Sequence, residues 1–242
     1  MNKKKIGIIS LCIVLLLAIY CVTTYKLMNS RTYQVFGELV PRVETTKKVV
    51  ALTFDDGPNP EHTGEILKEL DAKGVKATFF LIGQEIEKHP GEAKQIIQAG
   101  HEVGNHSYSH NRMIFKSPSY LSSEVEKTDA LLRDAGYQGD ILFRPPNGKK
   151  LLYLPYYLKQ HDRTTIMWDL EPDSYEDIAS SADKIVDYTV QHVRPGSIIL
   201  LHAMYDSRGE SMKAIPGIIS KLQAEGYECK TVSELLKAAD RP

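Results

Sequence analysis

Cysteine is scarce in this sequence, with 3 in 242 residues, and tryptophan occurs once. Cys12 and Cys21 fall within or at the edge of an apolar N-terminal run, so Cys229 stands alone in the remainder and a disulfide inside the globular part is excluded. A charge excess of one sign is also missing. The 30 basic and 31 acidic residues form no long run of either kind, which removes the electrostatic footprint of a nucleic-acid partner. No solenoid repeat and no low-complexity tract is visible, so neither a repeat array nor a disordered chain is indicated.

What is present begins with Lys3, Lys4 and Lys5, followed by an uncharged apolar stretch from Ile6 to about Val22. That is close to the length that crosses a hydrocarbon core, with positive charge on the side that stays cytoplasmic. A cleavable signal would show small residues in an A-x-A-like arrangement, whereas Ile19 and Tyr20 precede Cys21 here, and bulky Tyr20 also argues against lipoprotein processing. The reading is a retained anchor over residues 1–25 with the rest outside the membrane; cleavage would make the protein secreted. Residues 26–46 mix polar and apolar types without a clear period and read as a stalk, with a short strand near Val35.

From residue 47 to 242 the chain alternates short β-rich runs with amphipathic segments. The strand candidates are "KVVALTFDD", "KATFFLIG", "HEVGNHS", "DILFRPP", "TTIMWDL", "GSIILLHA" and "YECKTV". Between them lie "HTGEILKELDAKG", "PGEAKQIIQAG", "SYLSSEVEKTDALLRDAG" and "SMKAIPGIISKLQAEG", each ending on glycine as helix C-caps do. Such alternation implies parallel strands with crossover helices, and the number of units in one domain-sized stretch favours a small or incomplete barrel over an open sheet.

The polar residues fall at the C-terminal ends of these runs. Asp55 and Asp56 end the first, His106 and His110 follow the third, Arg144 ends the fourth, Trp168 and Asp169 the fifth, and His202 the sixth. In a parallel barrel those ends meet on one face, where active sites are built. Two adjacent carboxylates repel and need a cation nearby. His106 and His110 are spaced so that two imidazoles can reach one ion, which a carboxylate would complete as a three-ligand site open to water. Each has a plain structural competitor: a turn for Asp55 and Asp56, chance spacing for the histidines, a surface pair for Arg144, a core position for His202. The other histidines, His62, His89, His101, His161 and His192, read as solvated.

In order and separation, "TFDDG", "HSYSH", "RPPNG" and "IILLHA" resemble the motif series of the NodB-type polysaccharide deacetylases, carbohydrate esterase family four, over about Lys48 to Ala238. The resemblance implies a distorted (β/α) barrel and a metal-dependent hydrolase that removes acetyl groups from N-acetylated sugars. It makes Asp56, His106 and His110 the ligands of one divalent ion, with zinc the first choice and Co2+, Ni2+ or Mn2+ also compatible. It makes Asp55 the base, Arg144 the cation that keeps Asp55 ionised, and His202 the acid. Pro146, Asn147, Trp168 and Leu200 are the candidate substrate contacts, with Leu200 placed to wall an acetyl pocket.

Two departures from the family pattern stand out. Ala203 follows His202 where many members carry aspartate, and "WDLEPDSYED" lacks an Asp-Trp pair in register, which leaves Asp169, Glu171 and Asp173 as alternatives for tuning His202. The expected activity is N-deacetylation of peptidoglycan N-acetylglucosamine or N-acetylmuramic acid by a monomeric catalytic domain. A chitooligosaccharide, exopolysaccharide or O-acetyl ester substrate, or a carbohydrate-binding surface protein without turnover, are the alternatives.

Overall fold

The run Val49–Asp56 is rich in β-branched and aromatic residues and is buried along its whole length, as a strand covered on both faces must be. In the computed structural model, which describes residues 3–240, it follows α1 (Lys3–Asn29) and a two-residue β1 (Leu39–Val40), and is therefore β2. Then come α2 (Thr63–Ala72), β3 (Thr78–Leu81), α3 (Gly83–Lys88), α4 (Pro90–Gln98), β4 (Glu102–Asn105), α5 (Pro118–Asp134), α6 (Tyr153–Gln160), β5 (Thr165–Ile166), α7 (Ala182–His192), β6 (Ile198–Leu201), α8 (Gly209–Ala224), β7 (Glu228–Lys230) and α9 (Val232–Lys237).

β4, β3, β2 and β6 lie side by side in parallel, and β7 pairs with the N-terminal half of β2. Single bridges carry the ring onward. Phe143 sits parallel between Asn105 and Thr165, β5 pairs with β1, and Leu170 bridges Ile199 of β6. This is the distorted (β/α) barrel expected, but "DILFRPP" contributes one bridged residue and "TTIMWDL" a two-residue strand. The causes are local. Pro145 and Pro146 supply no backbone N–H to extend the first, and in the second the Asp169 carboxylate takes the Ile198 N–H at 2.8 Å, where a ladder would need a carbonyl.

Strand alternation sorts the core into two layers. Val50, Leu52 and Phe54 of β2, with Ile199 and Leu201 of β6, face the helices and meet Ile66, Leu70, Ile215 and Ile218. Val49 and Ala51, with Ile198 and Leu200, face the barrel interior beside Phe80, Met167 and Trp168. The same period puts Thr53 and Asp55 on the interior face.

α1 has no buried residue and is apolar enough and long enough to cross a membrane. Its last residues behave differently: Leu27, Met28 and Asn29, and Ser30 just after them, are half-buried against the domain. The strand expected near Val35 is found at Leu39–Val40, and Val40 and Val43 enter the interior core although they fall in the stretch read as a stalk. Gly196 permits this contact. It sits at φ +80°, and a Cβ there would lie 1.8 Å from the Val43 carbonyl oxygen, while the Val43 N–H donates to Gly196 at 2.9 Å.

Candidate active site

Asp55 points into the barrel mouth because the β2 alternation directs it there, and Arg144, next to the bridged Phe143 beyond β3 and β4, meets it across the interior. The guanidinium is fully buried and donates to Asp55 Oδ1 at 2.6 Å, to Thr53 Oγ1 at 2.9 Å and to the Met167 carbonyl at 3.1 Å. It also lies 4.0 Å from the Phe80 ring centroid and 5.5 Å from that of Trp168. Burial pulls the Arg144 pKa down and the Asp55 charge opposes that pull. The pair is a buried, multiply hydrogen-bonded ion pair, the geometry in which removing one partner costs most.

Strict alternation would send Asp56 to the helix side. Its φ of 74° breaks the alternation, and both carboxylates line one cleft. Ser107, His110 and Asn147 also hold left-handed φ values of 64°, 56° and 55°. Such conformations cost about 1–3 kcal/mol each and gather where a site dictates the backbone.

The histidine loop is held from α5. Asn105 donates to the Val125 carbonyl and to Asp129 at 2.8 Å each, and its own oxygen accepts from Ser107 N–H at 2.8 Å. Buried Glu124 accepts from the Ser109 N–H and hydroxyl at 2.8 and 2.9 Å. His106 directs Nδ1 to the Arg144 carbonyl at 2.8 Å, so that nitrogen carries the proton and Nε2 presents a lone pair. His106 Nε2 and His110 Nε2 stand 3.7 and 3.2 Å from Asp56 Oδ1.

One ligand atom from each of Asp56, His106 and His110 lies within 4.8 Å of the others. Burial lowers His106 to about 4 and lowers His110 as well, so both imidazoles are neutral near pH 7 and cannot neutralise the carboxylate. Asp56 Oδ1 is buried without a hydrogen bond, and burial together with Asp55 pushes its carboxyl up to about 7. An orphaned carboxylate oxygen facing two neutral nitrogen donors is what a divalent cation site requires, and zinc chemistry suits the set.

Across the cleft, His202 at the end of β6 meets Asp173 from the short 3-10 turn Pro172–Ser174. Asp173 Oδ1 lies 3.2 Å from Nδ1, and Oδ2 accepts from the His202 N–H at 2.7 Å and from Ser211 Oγ at 2.9 Å. Burial disfavours the charged ring, but the hydrogen bond and charge of Asp173 outweigh it and push His202 up to about 9. Of the three acids left open by the sequence, Asp169 is engaged with Ser197 and Ile198, and Glu171 with Trp168 and Ser174; only Asp173 touches His202.

The cleft, of about 450 Å³, gathers Asp55, Asp56, His106, His110, Asn147, Trp168 and His202. Two expected substrate contacts do not line it. Leu200 is 1% exposed and sits in the interior core on the Ala51 face, and Pro146 is buried. His101 is buried too, not solvated, with Nδ1 accepting from the Ala77 N–H at 3.2 Å. His62 pairs with Asp206 at 2.8 Å. The sequence reading missed Asn29, Arg31, Lys149, Tyr205 and Arg208, all of which line the cleft. Their only signal in sequence is adjacency to a motif, and Asn29 and Arg31 lack even that.

The family model for polysaccharide deacetylases matches residues 42–166. The chain belongs to the polysaccharide deacetylase family. A peptidoglycan-N-acetylglucosamine deacetylase of Bacillus cereus is 31% identical over 201 residues, covering 83% of this chain and 94% of that protein. The peptidoglycan-N-acetylmuramic acid deacetylase PdaC of Bacillus subtilis is 35% identical over 80% of this chain and 40% of its own length. Among solved structures, a peptidoglycan N-acetylglucosamine deacetylase superposes with a TM-score of 0.77 at 30% identity, over 83% of this chain and 94% of that one. A Bacillus anthracis pseudoenzyme of carbohydrate esterase family four gives 0.76 at 29% identity, over 86% and 72%. This deacetylase shares the fold of a family of generally metal-dependent enzymes, and its Asp56, His106 and His110 form a group that could hold a metal ion.

Proposed function

We propose that the protein hydrolyses the N-acetyl amide of peptidoglycan amino sugars, N-acetylglucosamine or N-acetylmuramic acid, from a catalytic domain over residues 47–242 anchored outside the membrane by α1. The observation that carries this reading is the pairing of a buried, arginine-held carboxylate, Asp55, with an aspartate-held imidazole, His202, in one cleft around the Asp56, His106 and His110 donors. A carbohydrate-binding surface would need neither group. The named relatives supply the substrate class.

Asp56, His106 and His110 would hold a divalent cation, zinc on the donor chemistry, which supplies Lewis-acid polarisation of the amide carbonyl and an acidified water. Asp55 takes the proton from the attacking water. Arg144 donates to Asp55 Oδ1 and so fixes which oxygen faces the cleft. The backbone N–H at Asn147 donates to the amide oxygen as negative charge grows there. Asp173 holds the Nδ1 proton of His202, leaving Nε2 to give its proton to the departing amine. Trp168 offers an apolar edge for the sugar, its indole fixed by the 2.7 Å hydrogen bond to Glu171. The products are acetate and a free amino sugar.

Acetate release by the full chain from purified peptidoglycan and from N-acetylglucosamine oligomers, before and after chelation and after zinc is returned, tests the reading. Release that is lost with the metal and recovered with zinc is expected. No release from either substrate by zinc-loaded protein would overturn it.

A further inference from the structure

The end of the anchor helix forms part of the catalytic cleft. Asn29, the last residue of α1, and Arg31 line the same cleft as Asp55, Asp56 and the two histidines. The seat is specific. Arg31 lies 5.3 Å from the Trp168 ring centroid and pairs with Glu171 Oε2 at 3.3 Å, the oxygen that also accepts from Trp168 Nε1. Lys149 Nζ reaches Asn29 Oδ1, the Lys150 N–H donates to the Met28 carbonyl at 3.4 Å, and the Lys150 ammonium donates to the Ser30 carbonyl. Lys150 is 1% exposed, and burial pulls its pKa down to about 8, so an ammonium is being spent on this junction.

A seated junction leaves no slack between anchor and cleft. Asn29 lies seven positions beyond Val22, near the end of the uncharged run. At 1.5 Å rise per residue those seven steps span about 10 Å, comparable to the head-group layer on one side of a bilayer. Charge at the cleft points the same way. Lys149 and Arg208 line it, and among the described residues no carboxylate is within 4.0 Å of either cationic group, whose partners are the Asn29 side-chain oxygen and the Asp173 carbonyl. Two cations without a counter-charge suit an anionic substituent on the substrate.

We propose that this deacetylase works at the membrane face on N-acetylated amino sugars still joined through phosphate to a membrane lipid, with Lys149 and Arg208 taking the phosphate charge. The proposal rests on the reading of α1 as an anchor and of the cleft as an amide hydrolase. The distinction from mature wall glycan is positional: a lipid-borne sugar shares the bilayer with the anchor, which raises its effective concentration at the cleft.

The test uses the full chain in lipid vesicles. The probes are a synthetic polyprenyl-diphosphate-linked disaccharide of N-acetylated amino sugars in the same vesicles, the same disaccharide diphosphate without its lipid, and soluble N-acetylglucosamine tetramer. The lipid-linked probe is expected to release acetate with about tenfold higher kcat/KM than its lipid-free form. A flexible Gly/Ser insert of about 12 residues between Lys26 and Leu27 leaves the Met28–Arg31 seat in place but adds about 19 Å of reach. It should erase most of that advantage and leave tetramer hydrolysis unchanged. Lys149→Gln and Arg208→Gln should each raise KM for both diphosphate probes by about tenfold, the weight of one charge-assisted contact. Equal kcat/KM for the lipid-linked and lipid-free probes, or an insert variant that keeps the advantage, would overturn the membrane-face proposal while tetramer hydrolysis upheld the deacetylase reading. Absence of acetate from the tetramer as well would overturn both.

Discussion

Replacing Asp173 with asparagine perturbs the His202 imidazole with almost no change of shape. Asp173 Oδ2 accepts from the His202 N–H and Ser211 Oγ, and an asparagine carbonyl oxygen in that position keeps both bonds. The amide NH2 then faces Nδ1 at the 3.2 Å position where a carboxylate oxygen stood. A donor facing Nδ1 favours the neutral ring with its lone pair on that nitrogen, the reverse of what the acid role needs. With aspartate the His202 pKa is about 9; without it, only the charges of Asp55 and Asp56 oppose burial, and the pKa falls toward the ordinary 6.5. His202 must be protonated to serve the leaving amine, so activity is lost as pH rises through its pKa. The alkaline limb of kcat therefore moves from near pH 9 toward pH 6.5. At pH 8 the protonated fraction drops from about 0.9 to about 0.03, a loss of about thirtyfold in kcat. A bound dication lowers both limbs together and leaves the difference between them. The assay is acetate release from N-acetylglucosamine oligomers between pH 5 and pH 10 by zinc-loaded parent and Asp173→Asn. An unmoved alkaline limb would refute the assignment of His202 as the acid tuned by Asp173.

Two further substitutions probe other parts of the account. Arg144→Gln leaves the buried Asp55 carboxylate without its partner and should cost about 3–5 kcal/mol of unfolding free energy, read by urea titration, with turnover lost as well; a stability within 1 kcal/mol of the parent would mean the pair is not holding the barrel mouth. Gly196→Ala puts a Cβ 1.8 Å from the Val43 oxygen at φ +80°. Its Tm should fall by about 5 °C or more, with new protease cleavage between residues 31 and 46.

The barrel class was legible in the alternation of β-rich runs and amphipathic segments, while the site residues were legible only as candidates at the ends of those runs. That Asp55, Arg144 and His202 would gather at one end of the barrel was legible because polar residues at the ends of apolar runs have no core role, and parallel topology brings those ends together. Leu200 was misplaced because alternation depends on which strand face looks inward, and an all-apolar "IILL" hides that choice. The acid partner of His202 could not be chosen from Asp169, Glu171 and Asp173 because the turn Pro172–Ser174, not spacing, decides which one reaches the ring. α3, α6, α7 and α9 were not distinguished; α6 carries Pro155 in its first turn, and α3 and α9 have six residues each, too few to show a period. The 26–46 stretch has no period because it docks by isolated contacts at Val40, Val43, Ser30 and Arg31.

The central claim is a division of labour between two neighbouring carboxylates, Asp56 as ligand and Asp55 as base. Metal content and acetate release of Asp55→Ala, measured beside His106→Ala after both are equilibrated with zinc, test it most directly. The account predicts about one zinc per chain and at least 100-fold lower turnover for Asp55→Ala, against loss of both metal and turnover for His106→Ala. Loss of zinc from Asp55→Ala equal to that from His106→Ala, or turnover near the parent in either variant, would contradict it.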